Sequence, residues 1–334
     1  MQVNRSGEPG YAGLATFCKL PLVLEASGLE GVDVAILGAP FDEAVSHRPG
    51  ARFGPRAVRM AEDSAGVPPS RPHMALGIDP FQVLTVVDYG DAEAVSADTE
   101  RTHRAVKGLV AEVCAAGAVP VVIGGDHSVA HPNMTAVAEH HGRGRVGVLH
   151  FDAHADTATD LDGVVRSHGT PMRLVVDEGS IRGDMFIQLG LRGCWPGPEE
   201  FGWMREQGFR WYTMYELDER GFAACVEEAI DAGRSWDAVF LSVDIDSLDP
   251  AFAPGTGTPE PGGLTPRELL HAVRRITSEL PVVGMELVEV APVWDSHAAV
   301  TATNGHRVIL DALCGMALRR SGGATRPELD NRAR

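Results

Sequence analysis

The stretch 146–156, VGVLHFDAHAD, constrains what this chain can fold into more than any other. An apolar run with the character of a buried strand stops at Asp152, His154 and Asp156, which are spaced by two residues. Alternate residues of an extended segment face the same side, so the three side chains converge on one place. The small Ala153 and Ala155 leave that place uncrowded. Ionisable groups left dry and unpaired at the end of a core strand are costly, and a bound cation is the simplest compensation.

The rest of the chain alternates between two periods. Short apolar runs at 31–38, 83–87, 118–123, 146–151, 185–190, 209–214, 238–243 and 282–288 predict strands. Between them, helical patterns are expected at 55–62, 97–116, 128–140, from 171, at 198–207, 221–232, 265–278 and 297–318. Residues 64–80, rich in Pro, Gly and Ser, read as a loop. Such alternation predicts an α/β fold with a mainly parallel sheet covered on both faces. With no break in composition, we expect one domain over 1–318. Residues 1–30 would wrap over it or contribute to subunit contacts, and 319–334 would form a disordered tail.

The 334 residues carry a formal net charge of −17, which argues against nucleic acid or an anionic membrane as partner and suits a cationic substrate or metal ions. The five cysteines never form a CxxC pair, which fits reduced thiols in a cytoplasmic protein. There is no signal-peptide pattern at the start, and no apolar run reaches the length of a membrane span.

Four polar clusters, at 124–128, 152–156, 244–249 and 286–289, each follow a predicted strand. Ligands bind outside the carboxyl ends of parallel strands, so the clusters would share one crevice. Asp244 and Asp246, in LSVDIDSLDP, repeat the two-residue spacing of the first stretch, and His127 follows a Gly-Gly-Asp turn. The set His127, Asp152, His154, Asp156, Asp244 and Asp246 is too large for one small cation and suits two, about 3.5–4 Å apart as in many hydrolytic sites. Its four carboxylates balance two divalent ions. A mixed oxygen and nitrogen set of this kind favours Mn2+, with Ni2+ or another first-row ion as alternatives, over structural zinc.

The segments GGDHS, FDAHAD and SVDIDSLDPAFAPGTGTPEPGG resemble the signatures of the ureohydrolase family, which contains arginase, agmatinase, guanidinobutyrase and related amidinohydrolases. The resemblance extends from about residue 33 to 316 and includes SHRPGARFGP, RSHGTP and ELVEVAP. It implies a three-layer αβα sandwich around a mainly parallel eight-stranded sheet, assembled as a homo-oligomer, a trimer or hexamer. It also implies two Mn2+ held by the six residues above, with Asp152 and Asp244 bridging them. His168 would then move a proton and Glu289 would hold the guanidinium group, so that activated water releases urea and an amine.

Glu286 stands where many members of the family have Asp, and we read it as a partner of the ligands rather than a ligand. Asp126 and Asp249 read as turn groups, and His150 as a core imidazole. Solvent-facing roles suit His103, His140, His141 and His271.

The far end of the substrate is less determined. The loop after Asp156 lacks the Asn and Ser pattern with which arginases hold an amino-acid head group. Asp160 and Asp162 suit the distal ammonium of agmatine, whereas Arg166 suits the carboxylate of a guanidino acid. Trp294 and the Trp-rich segment 191–214 would narrow the pocket toward guanidine itself. An agmatinase-like enzyme is the first expectation, with guanidinobutyrase, guanidinopropionase or guanidine hydrolase as alternatives. A metal-binding partner subunit without activity is the alternative of another class.

Overall fold

The apolar runs assemble into one sheet because each is bounded by a turn and is too apolar to leave in water. In the computed structural model, which describes residues 12–61, 72–74 and 76–323, the strands are β1 (Val34–Ala39), β2 (Val86–Asp91), β3 (Val119–Gly124), β4 (Val146–Phe151), β5 (Phe186–Leu191), β6 (Arg210–Thr213), β7 (Ala238–Asp244) and β8 (Val282–Val288). Their order is β2-β1-β3-β8-β7-β4-β5-β6, and every neighbouring pair is parallel. The four strands that end in polar clusters, β3, β8, β7 and β4, are therefore contiguous at the centre of the sheet.

Alternate residues of one strand feed two separate cores. Val34 and Ile36 of β1 and Leu149 and Phe151 of β4 enter the first. Ala35 and Leu37, with Val146 and Val148, enter the second. Helices α1 (Gly54–Met60), α7 (Phe222–Gly233), α8 (Pro266–Glu279) and α9 (Val300–Arg320) bury apolar faces in the first core. In the second are α2 (Thr99–Ala115), α3 (Ala130–His141), α4 (Pro171–Asp177) and α5 (Pro198–Gln207). This is the expected three-layer sandwich. Local signals set the helix starts: Thr265 and Glu268 form a reciprocal capping box on α8, with Pro266 in its first turn.

Several boundaries differ from the sequence reading. The β2 strand begins at Val86 rather than 83, because Asp79 caps a short turn at Pro80–Gln82 that takes up the preceding residues. A helix at Met214–Arg220, α6, starts where strand was expected to end, capped by the Thr213 side chain. Helix α9 runs on to Arg320, two residues into the expected tail. Residues 1–11 of the wrapping segment, most of the expected loop at 64–80 and residues 324–334 of the tail lie outside the described residues.

The part of the N-terminal segment that is described lines the edge of β2. Leu22 bridges Asp88, and Val23 N–H donates to the Asp88 carbonyl at 2.9 Å. Asp88, buried within β2, is tolerated there because Arg59 grips it with two hydrogen bonds, at 2.8 and 3.0 Å, and reaches Asp91 at 2.6 Å. Removing one partner of such a buried pair leaves the other charge uncompensated. Arg59→Met is expected to lower the unfolding free energy by about 3–5 kcal/mol, measured by urea denaturation; a loss below about 1 kcal/mol would contradict a structural role for the pair.

Candidate metal centre and cleft

Each cluster is delivered by a strand end and then fixed by backbone N–H groups. After β3, a Cβ on Gly125 would overlap the Phe41 carbonyl, so only glycine allows this turn. Asp126 then caps the turn that presents His127, accepting from Ser128 N–H at 3.0 Å and Ala44 N–H at 2.9 Å. After β4, Asp152 Oδ1 accepts from His154 N–H at 2.6 Å. At the end of β7, Asp244 Oδ1 accepts from Asp246 N–H at 2.8 Å, and Asp246 Oδ1 from Ala153 N–H at 3.1 Å. Asp156 and Glu289 sit at φ 52° and 63°. For residues other than glycine such left-handed backbone costs about 1–3 kcal/mol each and persists only where the surroundings impose it. Glu289 N–H donates to the Gly125 carbonyl at 2.8 Å, tying the β8 cluster to the β3 cluster.

All six expected ligands meet. His127 Nδ1 lies 2.9 Å from Asp156 Oδ2 and 3.2 Å from both Asp152 Oδ2 and Asp244 Oδ2. His154 Nδ1 lies 3.1 Å from Asp246 Oδ2 and 3.6 Å from Asp152 Oδ1. The two groups share one residue, Asp152, whose oxygens face opposite groups. Asp244 Oδ2 also faces the His127 group, and its Oδ1 accepts from Asp246 N–H much as Asp152 Oδ1 accepts from His154 N–H.

Sequence reasoning missed the residues that orient these ligands. His127 Nε2 lies 3.1 Å from Ser242 Oγ, Ser242 donates to Glu286 Oε1 at 2.8 Å, and Asn133 donates to Glu286 Oε2 at 2.8 Å. With the Ser242 hydroxyl proton committed to Glu286, His127 Nε2 must carry its own proton, which leaves Nδ1 as the nitrogen that a cation can take once its proton is displaced. Glu286 is thus a partner of a ligand, as its sequence position suggests. The only signal for Ser242 is its place two residues before Asp244, on the same face of β7. His150, expected as a core imidazole, is buried, but its Nε2 lies 2.8 Å from Asp152 Oδ2. Gln188 donates to its Nδ1 at 3.0 Å, so the proton sits on Nε2, which faces Asp152 without an aligned hydrogen bond. Asp249 is held by three backbone N–H groups, which keep its carboxyl below the usual range, in keeping with a turn role.

The electrostatics call for cations. Burial pushes the Asp244 carboxyl well up, reinforced by the charges of Asp246 and Asp152, and burial with Asp152 raises Asp156. Burial alone would lower both ligand histidines; the carboxylates instead raise His127 well above its ordinary value and His154 to about 12. His127 Nδ1 and Asp152 Oδ2, both buried, have no aligned hydrogen-bond partner. Crowded carboxylates, an imidazole nitrogen without an aligned partner and hard oxygen donors fit a pair of divalent cations.

Above the cluster is a cavity of ≈ 300 Å3 lined by His154, Asp156, Asp244, His168, Glu289, Ser46, Leu161, Gly169, Trp195 and Thr258. Glu289 Oε1 accepts from His127 N–H at 2.9 Å and lies 3.1 Å from His168 Nδ1, while Oε2 is buried without a partner. His168 Nε2 meets Ser46, 3.0 Å from its N–H and 2.8 Å from its Oγ. Burial opposes the charged form of His168, but Glu289, Asp156 and Asp126 raise it to about 9. The Ser46 amide favours the neutral ring and the Ser46 hydroxyl can accept from the charged one, so Nε2 has a partner in either state.

Three residues expected to touch substrate do not line this cavity. Asp160 is exposed and accepts from Gly163 N–H of its own turn at 2.8 Å. Arg166 turns away to His131 Nδ1, at 3.1 Å. Trp294 is 45% exposed and donates its indole N–H to the Pro49 carbonyl at 2.9 Å. From the Trp-rich segment, Trp195 does enter the cavity wall, its ring 6.0 Å from that of His154, whereas Trp203 packs on Arg173 and Phe209. Of the surface histidines, His103 is instead only 5% exposed.

Because Asp152 faces both groups, Asp152→Ala is expected to lose metal from both positions, whereas Asp246→Ala loses it from one, read as metal per chain by elemental analysis. Equal losses in the two variants would contradict the shared role of Asp152. The raised His127, His154 and Asp244 carry protons that a cation must displace, so affinity should strengthen as pH rises from 6 to 8, measured by competition with a chelator. Affinity that weakens over that interval would be the wrong sign.

The Arginase family model matches residues 32–315. The mitochondrial agmatinase of Gallus gallus is 38% identical over 302 residues, 90% of this chain and 85% of that protein. The guanidinobutyrase of Pseudomonas aeruginosa is 36% identical over 309 residues, covering 92% of this chain and 93% of that one. The solved proclavaminate amidinohydrolase of Streptomyces clavuligerus superimposes with a TM-score of 0.82 at 36% identity, over 93% of this chain and all of that one. Motif, fold and converging ligands agree: the chain belongs to the arginase family of metal-dependent hydrolases and acts on the amidino C–N bond of a guanidino compound.

Proposed function

We propose that the chain is an agmatinase-like enzyme, hydrolysing a guanidino compound with a cationic tail to urea and an amine. The cavity lining carries this reading: it presents Asp156, Asp244 and Glu289 and contains no Lys or Arg. Among the described residues a carboxylate tail would find no Lys or Arg there, and Arg166, the side chain suited to bind one, is turned toward His131. The exposed Asp160 and Asp162 lie on the loop beyond the cavity, where they favour an ammonium group.

His127, Asp152, His154, Asp156, Asp244 and Asp246 would hold two Mn2+, which supply activated water and stabilise developing negative charge when bound. Glu289 Oε2, buried and unpartnered, accepts the guanidinium N–H groups and fixes the carbon to be attacked. His168 holds a proton on Nδ1 against Glu289 Oε1, and through Nε2 at Ser46 it can pass one to the departing amine. A homo-oligomer, trimer or hexamer, in the cytoplasm belongs to the same proposal.

One observation favours a second substrate. Trp195 and Leu161 wall the cavity with apolar surface, which suits guanidine or another short guanidino compound. Urea release by Mn-loaded protein, compared across agmatine, guanidinobutyrate, guanidinopropionate, arginine and guanidine, separates the readings. The highest kcat/KM is expected with agmatine; preference for guanidine, relaxed in Trp195→Ala, would favour the second. No urea from any of them with metal bound would leave the partner-subunit reading. Glu289→Gln is expected to cost about 10- to 100-fold in kcat/KM, as one charged hydrogen bond is worth about 1.5–3 kcal/mol.

A further inference from the structure

A second cavity, of ≈ 240 Å3, opens between α2, α3 and the loop that carries His168, and it is built differently from the first. Arg166 lines it, and its guanidinium meets His131 Nδ1 at 3.1 Å. Arginine only donates, so His131 accepts at Nδ1 and carries its proton on Nε2, which lies 2.9 Å from Glu178 Oε2. His131 is therefore neutral, and among the described residues no carboxylate pairs with Arg166.

Two buried polar side chains on the same walls also lack partners. His103, 5% exposed, lies 3.0 Å from Ser128 Oγ through Nε2, while its Nδ1 has no partner. Burial, with His131 and Arg166 nearby, lowers its pKa to about 3, so the ring is neutral and Nδ1–H is a donor when Nε2 accepts from Ser128. Thr135, 4% exposed, has an unpartnered Oγ1. A buried polar group left unsatisfied is costly, and two beside an arginine without a counter-ion mark a place for acceptor oxygens. Arg104, Lys107 and Arg143 add positive charge at the exposed rim, partly offset by Glu100, Glu139 and Glu178, in a chain whose net charge is −17.

We propose that this cavity binds a small multivalent oxyanion, a phosphate or a di- or tricarboxylate, with Arg166 as its principal charge and His103 Nδ1–H and Thr135 Oγ1–H as buried donors. Such a ligand would also brace the loop that leads to the active site. Arg166 stands two residues before His168, and Ser167 Oγ and His168 N–H both donate to the Ala44 carbonyl, at 3.3 and 3.0 Å.

Isothermal titration of the full-length, metal-loaded protein with inorganic phosphate, and separately with citrate, at fixed ionic strength and against a sodium chloride control, tests the site. Saturable binding of at least one of them is expected, weakened by at least about tenfold in Arg166→Gln and in the near-isosteric Thr135→Val. Both variants are first checked for native circular dichroism and metal content. Binding of phosphate alone or citrate alone identifies the source of the oxyanion. Heats at the chloride level for both ions with folded wild type would overturn the proposal. So would binding that persists undiminished in both variants, which would place the anion elsewhere, including at the metal centre.

Discussion

Mutual repulsion among buried carboxylates at the middle of the sheet governs this structure. Asp152, Asp156, Asp244 and Asp246 are all nearly inaccessible to water and lie around two histidines. Without compensation such a group protonates or destabilises the fold. The raised Asp156 and Asp244 and the raised His127 and His154 express that demand, and two divalent cations satisfy it directly. Depressed Asp152 is the exception, since the neighbouring histidines offset its burial. It is also the residue that faces both ligand groups.

The surrounding chain holds these charges in place. Backbone N–H groups fix Asp126, Asp152, Asp244 and Asp246, and the Glu286–Ser242 relay fixes the tautomer of His127. Rigidity of this kind, carried by four adjacent strands, keeps ligands in register without help from mobile side chains. Glu289 joins the metal cluster to the cleft: one oxygen anchors His127 and His168, and the other is left for substrate. Beyond these charges the cleft walls add the apolar surfaces of Trp195 and Leu161.

Most of the architecture, and the six side chains that converge at its centre, were legible in the chain itself. Apolar runs ending in Asp or His mark strand ends, and a two-residue spacing survives folding because strand geometry is local. Legibility failed where a side chain's partner comes from a distant segment. Asp88 lies in a strand that sequence reading ended at Val87, and it is stable there because Arg59, 29 residues away, neutralises it. Arg166 and Asp160 lie on the expected substrate loop, yet one turns to His131 and the other caps its own turn. Trp294 is spent on the Pro49 carbonyl, and His103, readable as a surface residue of α2, is buried against Ser128.

By itself, then, the sequence determined the alternating strand and helix pattern, the four polar strand ends, the six candidate metal ligands and the family to which the chain belongs. It could do so because periodicity and spacing act within a few residues. Only the tertiary structure decided the strand order that makes β3, β8, β7 and β4 neighbours. It alone placed Asp152 between the two side-chain groups, brought Trp195 into the cleft and sent Arg166 to the second cavity. Those outcomes depend on which long-range partner wins each hydrogen bond or charge, and that competition is settled only when the layers pack.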